Sequence, residues 1–246
     1  MSITKVQSAQ FTENNADSTI PKVFASSPVS GHAIIVVASY QGTVGTPTCG
    51  DTQSNSYSLI DSHYDSGDNQ STAIFYCGNI VGGSSFTVTV SIGASRGYRR
   101  LIILEYDKPL VVDKYLSTSA TYGTGTDALT SGAVVTTKDG ELIIGYEMEI
   151  NTMIYLAAMV AGTDYVEQQN APDAIDAEYH LVVEDRNQAS AGSIAGTFTQ
   201  STGTYPFTVG VATFSEAAGG GVDTAKKRMS ATHLLVPSFP MAILPD

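Results

Sequence analysis

Hydrophobic and polar residues alternate along much of this chain, with the period of two that is typical of half-buried β-strands. The clearest case is segment 86–92, where Phe86, Val88 and Val90 share one face and the intervening Thr and Ser residues share the other. Periodicity of the helical kind is nearly absent. The pattern therefore predicts an all-β protein.

Alternating or β-branched runs separated by turn residues indicate about thirteen strands. The predicted strands are 3–8, 33–40, 56–61, 72–77, 86–92, 99–106, 111–117, 132–137, 141–150, 153–160, 177–184, 193–198 and 207–214. Many short strands at this spacing predict a two-sheet antiparallel β-sandwich with a jelly-roll-like topology. The sequence shows no strong internal repeat.

The C-terminal part of the chain differs from the rest. Residues 1–216 are predicted to form a single β-sandwich domain, residues 217–225 a flexible Gly-rich joint, and residues 226–246 an extended arm that contains prolines. The arm begins with Lys226-Lys227-Arg228. Its apolar side chains are Leu234, Leu235, Val236, Phe239, Met241, Ile243 and Leu244. Apolar side chains left in water favour association, so we expect the arm to fold back on the sandwich or to dock on a neighbouring subunit.

Composition excludes several classes of protein. Charged residues make up 15% of the chain, and Lys+Arg 12 against Asp+Glu 24 gives a net charge of −12. Such a chain lacks the broad basic surface that binds nucleic acid or anionic membranes. We interpret the basic residues within segment 96–100 as a solubilising loop. No apolar run approaches the roughly 18 residues of a membrane-spanning helix.

The N-terminus has no apolar segment of the kind found in signal peptides. This indicates either a protein that leaves the cell without that export route, such as a virion protein released by lysis, or a leader that has been removed.

Candidate catalytic residues are few. The four histidines lie in none of the common catalytic or zinc-binding motifs. Glu147 and Glu149 share one face of a predicted strand, which we interpret as a solvated face and not as the acid pair of a glycosidase. Glu178 and His180 are interpreted in the same way, as an exposed strand pair. We therefore predict that the protein is not an enzyme.

The densest cluster of oxygen-bearing side chains lies in segment 61–69. Asp61, Asp65, Asp68 and Asn69 form a candidate set of ligands or metal-binding groups, and calcium is the only cofactor that they suggest. The segment lacks the residue order of an EF-hand loop and its terminal Glu. An ordinary polar hairpin tip is the alternative.

The two cysteines, Cys49 and Cys77, have no metal-binding spacing. Two buried free thiols and a single disulfide between neighbouring strands are both compatible with their positions.

Several segments together carry a resemblance to a known family. They are Asp51-x-x-x-Asn55-x-Tyr57, IFYCGNI at 74–80, Gly82-Gly83, FTVTV at 86–90, LIILEY at 101–106 and TTKDGELIIG at 136–145. Over residues 33–214 the chain resembles a Ser/Thr/Gly-rich β-sandwich domain family of bacterial surface proteins and of phage and environmental viral structural proteins. Ser54 and Asp107 stand where the family pattern has Gly. The resemblance implies a fold and no catalytic residues.

Two functions follow as expectations. The first is a non-enzymatic structural protein of a virion or cell surface that self-assembles through edge strands and the C-terminal arm, with copies of itself or other virion or surface proteins as partners. The second is an adhesive, carbohydrate-binding module, assisted by calcium, in which some of the 13 Tyr residues stack on glycans. The absence of Trp weighs against the second. Both place the protein on a virion or at the cell surface.

Overall fold

The computed structural model describes residues 2–67, 69–121, 127–150, 159–171, 179–200 and 206–218. Over these residues the protein is all-β and built from antiparallel sheets, which confirms the predicted class. The strands form four main sheets and not the two that the sequence predicted, because short and polar strands add an outer sheet to each half. In the same residues there is no helix with the length and apolar character needed to cross a bilayer.

The strands of the first half form two sheets. They are β1 (Lys5–Glu13), β2 (Asp17–Val23), β3 (Ala33–Gln41), β4 (Thr48–Asp51), β5 (Ser58–Asp65), β6 (Gln70–Cys77), β7 (Thr87–Arg96) and β8 (Arg99–Tyr106). Inner sheet 1 has the order β1-β8-β3-β6-β5, and outer sheet 1 has the order β2-β7-β4.

The second half also forms two main sheets. Its strands are β9 (Leu110–Thr121), β10 (Asp127–Thr130), β11 (Val134–Val135), β12 (Glu141–Ile150), β13 (Met159–Ala161), β14 (Val166–Ala171), β15 (Tyr179–Gln188), β16 (Ser193–Ile194), β17 (Thr197–Gln200) and β18 (Pro206–Glu216). Inner sheet 2 has the order β14-β15-β12-β18-β9, outer sheet 2 has the order β10-β17-β13, and β11 pairs with β16.

The two halves follow the same path. In each half the first strand pairs with the last, which also pairs with a strand from the middle of that half (β1-β8-β3 and β9-β18-β12). The outer sheets correspond in the same way, β2-β7-β4 to β10-β17-β13, and the small β11–β16 ladder is an addition to the second half. A repeated strand order is therefore present although the sequence shows no strong repeat.

The four sheets stack as layers, with the inner sheets facing each other. Alternate residues of β3 show this arrangement, because Ile35 and Val37 belong to the central core between the inner sheets. Ile34 and Val36 point the other way, into a first outer core shared with outer sheet 1. A second outer core, containing Val182 of β15, lies between inner sheet 2 and outer sheet 2. Strand β3 is apolar on both faces because both faces are covered.

The predicted strands agree with the structure where the pattern is strongly apolar, and 99–106 and 141–150 have the predicted bounds. Four strands were missed, namely β2, β4, β10 and β14, and the predicted strand 193–198 is two short strands. Strand β2 contains Pro21 and β14 is mainly polar, so neither has the expected pattern. Residues 153–158 of another predicted strand lie outside the described residues, and the jelly-roll topology stays a prediction.

Candidate functional site

A polar cluster lies where the edges of the two inner sheets meet. Asp61 and His63 are two residues apart on β5, so both side chains lie on the face directed at inner sheet 2. Ser117 and Ser119 have the same spacing on β9, the facing edge strand. We call this contact the edge cluster, and it brings together residues from the two halves of the chain.

Hydrogen bonds cross from one sheet to the other within the edge cluster. The Nε2 atom of His63 lies 2.7 Å from the Oγ atom of Ser119, which lies 2.9 Å from the Oγ1 atom of Thr208 on β18. Ser117 donates a hydrogen bond to the Oδ2 atom of Asp61. Burial, followed by the charge of Asp61, raises the pKa of the nearby Tyr146 hydroxyl. The cluster is thus a cross-sheet network that joins β5, β9 and β18.

Next to the edge cluster, the central core between the inner sheets becomes polar. Thr72 is the cross-strand neighbour of His63, and Ser39 lies beside Thr72 on β3. Arg100 of β8 completes this row and is fully buried. The next row contains Gln70, which is also fully buried. Polar side chains therefore replace apolar ones at this end of the central core.

The contact between His63 and Ser119 resembles that of one reaction type, nucleophilic catalysis by a serine. A serine hydroxyl within hydrogen-bond distance of a histidine nitrogen is the arrangement of an activated nucleophile. In a catalytic triad an acid would orient the histidine. Here Asp61 accepts from Ser117, and Ser119 is shared between His63 and Thr208. These contacts join the two inner sheets at the edge cluster.

The predicted oxygen cluster is dispersed along the β5–β6 hairpin. Asp61 belongs to the edge cluster, whereas Asp65 accepts a 2.8 Å hydrogen bond from the backbone of Gly67. The Oδ1 atom of Asn69 accepts from the Tyr64 hydroxyl at 3.2 Å. Among the described residues no group of three or more His, Cys, Asp or Glu side chains is placed to hold a metal ion. Asp68 lies outside those residues, and calcium binding stays a prediction.

The motif Asp51-x-x-x-Asn55-x-Tyr57 has a structural role. Asp51 accepts hydrogen bonds from the backbone of Asn55, from the Asn55 side chain at 2.9 Å and from the Tyr57 hydroxyl at 3.0 Å. The amide of Asn55 in turn holds the backbone of Val81 through two bonds. The motif thus fixes the loop between β4 and β5 against the segment that precedes β7.

The two cysteines are free thiols. Cys77 is buried and Cys49 half-buried, both at the first outer core. Burial raises the pKa of each thiol, and the charge of Asp51 acts on both in the same direction. Of the two alternatives left open by the sequence, the structure has the unbonded one.

The interpretation of Glu147 and Glu149 as a solvated pair is wrong. Both residues are buried, because outer sheet 2 covers the face of β12 on which they lie. A third carboxylate on this side, Glu184, accepts hydrogen bonds from the backbone N–H groups of Gly162 at 2.8 Å and Thr197 at 3.0 Å. Burial raises the pKa of Glu184 to about 7, against the opposing effect of these two bonds.

The interpretation of segment 96–100 as a solubilising loop is also wrong in part. Arg99 is 5% exposed and Arg100 is fully buried. The Arg100 guanidinium donates to the carbonyls of Glu13 and Tyr179 and to the Asn14 side chain. It therefore fastens the β1–β2 connection to inner sheet 2. The pair Glu178 and His180 lies outside the described side chains.

A groove of about 470 Å³ opens where the two halves join. Its lining includes Tyr76, Pro109, Leu110, Val111 and, close to the end of the described chain, Ala217. The predicted arm, with all of its apolar side chains, lies beyond residue 218 and outside the described residues.

Comparisons with protein-family models, with curated proteins and with solved structures give no match to this chain. The resemblance to the β-sandwich family therefore stays a prediction. Sequence reasoning missed the pairing of His63 with Ser119 and the buried Glu184. A partial signal existed for the latter, because Glu184 interrupts the apolar run Leu181-Val182-Val183 on a strand.

Proposed function

We propose that this protein is a non-enzymatic structural protein of a virion or cell surface that self-assembles through strand edges and its C-terminal arm. The observation that carries the proposal is strand β9, which has 12 residues at the edge of inner sheet 2. Among the described strands only β18 pairs with it. Val111, Tyr115 and Leu116 on this strand are 40–53% exposed. A long edge strand with exposed apolar side chains is a template for pairing with another chain.

The groove at the junction of the halves supports a docking role for the arm. Its lining includes the apolar surfaces of Tyr76, Leu110 and Val111, and Val111 also begins the exposed stretch of β9. The apolar side chains of the arm would be buried in such a groove on a neighbouring copy. Edge and groove would then form one continuous assembly surface.

The strand order adds support from fold analogy. In the first half β1–β8, β2–β7 and β3–β6 are nested pairs. In the second half the corresponding pairs are β9–β18, β10–β17 and β12–β15. We infer a jelly-roll path for each half. Jelly rolls are common in viral capsid domains. Because one fold serves many functions, the analogy supports the virion assignment only in combination with the exposed edge.

Size-exclusion chromatography with light scattering tests the proposal. We expect the full chain to form oligomers, and both Tyr115→Lys and deletion of residues 222–246 to shift it towards the monomer. Val81→Lys is the matched control, since Val81 is 60% exposed and lies outside the strands. A full chain that is monomeric at all concentrations contradicts the proposal. Oligomers that survive the deletion contradict the role of the arm.

A second groove favours the alternative, a carbohydrate-binding module. It has a volume of about 280 Å³, and its lining combines the exposed ring of Tyr64 with hydroxyl groups such as those of Thr46 and Ser62. Aromatic faces with nearby hydroxyl groups suit a sugar ring. Glycan-array binding, with and without calcium, that disappears in Tyr64→Ala would support this function. An array without binders in both conditions would remove it.

A further inference from the structure

Two buried side chains of β6 have polar atoms that no described protein atom satisfies. Gln70 is fully buried, and both its Nε2 and its Oε1 atoms lack a hydrogen-bond partner among the described residues. Thr72 is 1% exposed, and its Oγ1 atom also lacks a hydrogen-bond partner among the described residues. Buried polar groups almost always have partners, because leaving them unpaired lowers stability. Three such atoms so close together call for a specific explanation.

The strand geometry directs both side chains into the same layer. Gln70 and Thr72 are two residues apart, about 7 Å along the strand, on the face that carries Ile74 into the central core. The register of β5 with β6 places Asp65 beside Gln70 and His63 beside Thr72. The unpaired atoms therefore belong to the polar end of the layer between the inner sheets, next to the edge cluster.

The available hydrogen-bonding groups define the chemistry of a partner. The Gln70 amide offers a donor and an acceptor, and the Thr72 hydroxyl can act as either. A metal cation could not use the amide N–H groups, and a carboxylate could not use the amide oxygen. A hydroxyl group, which both donates and accepts, can use all of them.

We propose that Gln70 and Thr72 bind a hydroxyl-bearing molecule between the inner sheets, either ordered water or a small polyol. The nearby hydroxyl groups of Ser119 and Thr208 extend the same chemistry across to inner sheet 2. Buried water commonly makes about three hydrogen bonds to otherwise unsatisfied groups. The site would couple the edge cluster to the interior through the bound molecule.

Thr72→Val tests the proposal, because valine keeps the shape of threonine and removes the hydroxyl. We expect the folding equilibrium constant from urea unfolding to fall about fivefold, the usual effect of losing one hydrogen bond. Thr213→Val is the matched control, since Thr213 is fully buried and its Oγ1 atom accepts a 3.1 Å bond from the backbone of Lys114. A Thr72→Val protein as stable as the original or more stable, while Thr213→Val loses stability, overturns the proposal.

Thr72→Ser, which keeps the hydroxyl, covers the case in which Thr72→Val does not fold. It should retain bound density within hydrogen-bond distance of Gln70 in a high-resolution crystal structure, as should the original protein. A crystal structure of the original protein with no such density overturns the proposal. Titration with glycerol separates the two sources: a saturable gain in stability that is larger in the original protein than in Thr72→Val indicates a polyol, and an equal gain indicates water.

Discussion

The first and second outer cores occupy corresponding places in the two halves, but they are filled differently. The first outer core is apolar, with side chains such as Phe75, Phe86 and Val90. The second has fewer described apolar residues, including Leu129 and Phe198. On its side of inner sheet 2 lie the buried carboxylates of Glu147, Glu149 and Glu184.

This difference shows that one strand order can be stabilised in two ways. Outer sheet 1 is held mainly by removal of apolar surface from water. Outer sheet 2 is held in addition by Glu184, whose two oxygens accept hydrogen bonds from backbone N–H groups just after β13 and at the start of β17. Hydrogen bonds to a buried carboxylate depend on pH and on geometry, whereas apolar packing depends mainly on volume. The two halves should therefore respond differently to the same kind of perturbation.

The largest expected effect is the loss of an aromatic side chain from the apolar core. Phe75→Ala should lower the free energy of unfolding by about 4 kcal/mol, and Phe198→Ala by about 3 kcal/mol, because fewer apolar groups surround Phe198. Both residues are 1% exposed, so they form a matched pair. Urea unfolding measures both, and a larger loss in Phe198→Ala would reverse the contrast between the outer cores.

Next in size is the pH dependence that Glu184 gives to the second half. Its pKa is raised to about 7 in the folded protein, against about 4.3 in an unfolded chain. The folded state thus holds the proton more tightly. Stability should fall as the pH rises from about 4 to 7 and level off above, by about 4 kcal/mol from this group, an upper bound.

Unfolding of the original protein and of Glu184→Gln at pH 4.5, 6 and 8 measures this dependence. The substitution should flatten the curve over this interval, whereas Glu216→Gln, at an exposed position, should leave it unchanged. Equal slopes of stability against pH for Glu184→Gln and the original protein would show that Glu184 does not cause this pH dependence.

A smaller effect is expected from a single methyl group at Gly145. A Cβ atom there would clash with Oε1 of Glu184 and would lie 2.7 Å from its Cγ atom. The carboxylate would have to leave the backbone N–H groups of Gly162 and Thr197. Gly145→Ala should therefore cost about 2 kcal/mol.

The control for that variant comes from the first half. Gly50 is also a strand glycine, and nothing lies within 4 Å of the position that its Cβ would take. Gly50→Ala should change stability by less than about 0.5 kcal/mol. Similar losses in the two variants would show that strand glycines, and not Glu184, determine the result.

The smallest effect concerns the contact between the halves. Ser119→Ala removes the hydroxyl that lies between His63 and Thr208 and should lower the free energy of unfolding by about 1 kcal/mol. Ser58→Ala, at an exposed position of β5, should have no measurable effect. An unchanged stability in Ser119→Ala would mean that the edge cluster contributes little to cohesion.

The fold class could be predicted from the sequence because alternation and β-branched runs are local properties. The same local reading explains why the Asp51–Asn55–Tyr57 motif was found, since all of its side-chain contacts with Asp51 lie within six residues. The polar strand β14 could not be predicted in this way, because its stability comes from pairing with β15 and not from its own pattern.

The candidate site could not be predicted in this way. His63 and Ser119 are 56 residues apart, and they meet only because β5 and β9 are the facing edges of two different sheets. The error over Glu147 and Glu149 has a similar origin. Alternating acids on a strand look solvated when a further layer of sheet, formed by distant residues, is not yet known.

The nested pairing has a consequence for the order of folding. Strands β8 and β18 come last in their halves, yet both lie inside their sheets, with β1 and β3 on either side of one and β9 and β12 on either side of the other. A chain emerging from the ribosome cannot join β1 to β3 through β8 until residue 106 is available. In the same way, β9 and β12 cannot be joined through β18 until residue 216 is available. Pairings this distant along the chain make folding slow. Each half should therefore close in a single late step, when its last strand enters a gap that its earlier strands have left open.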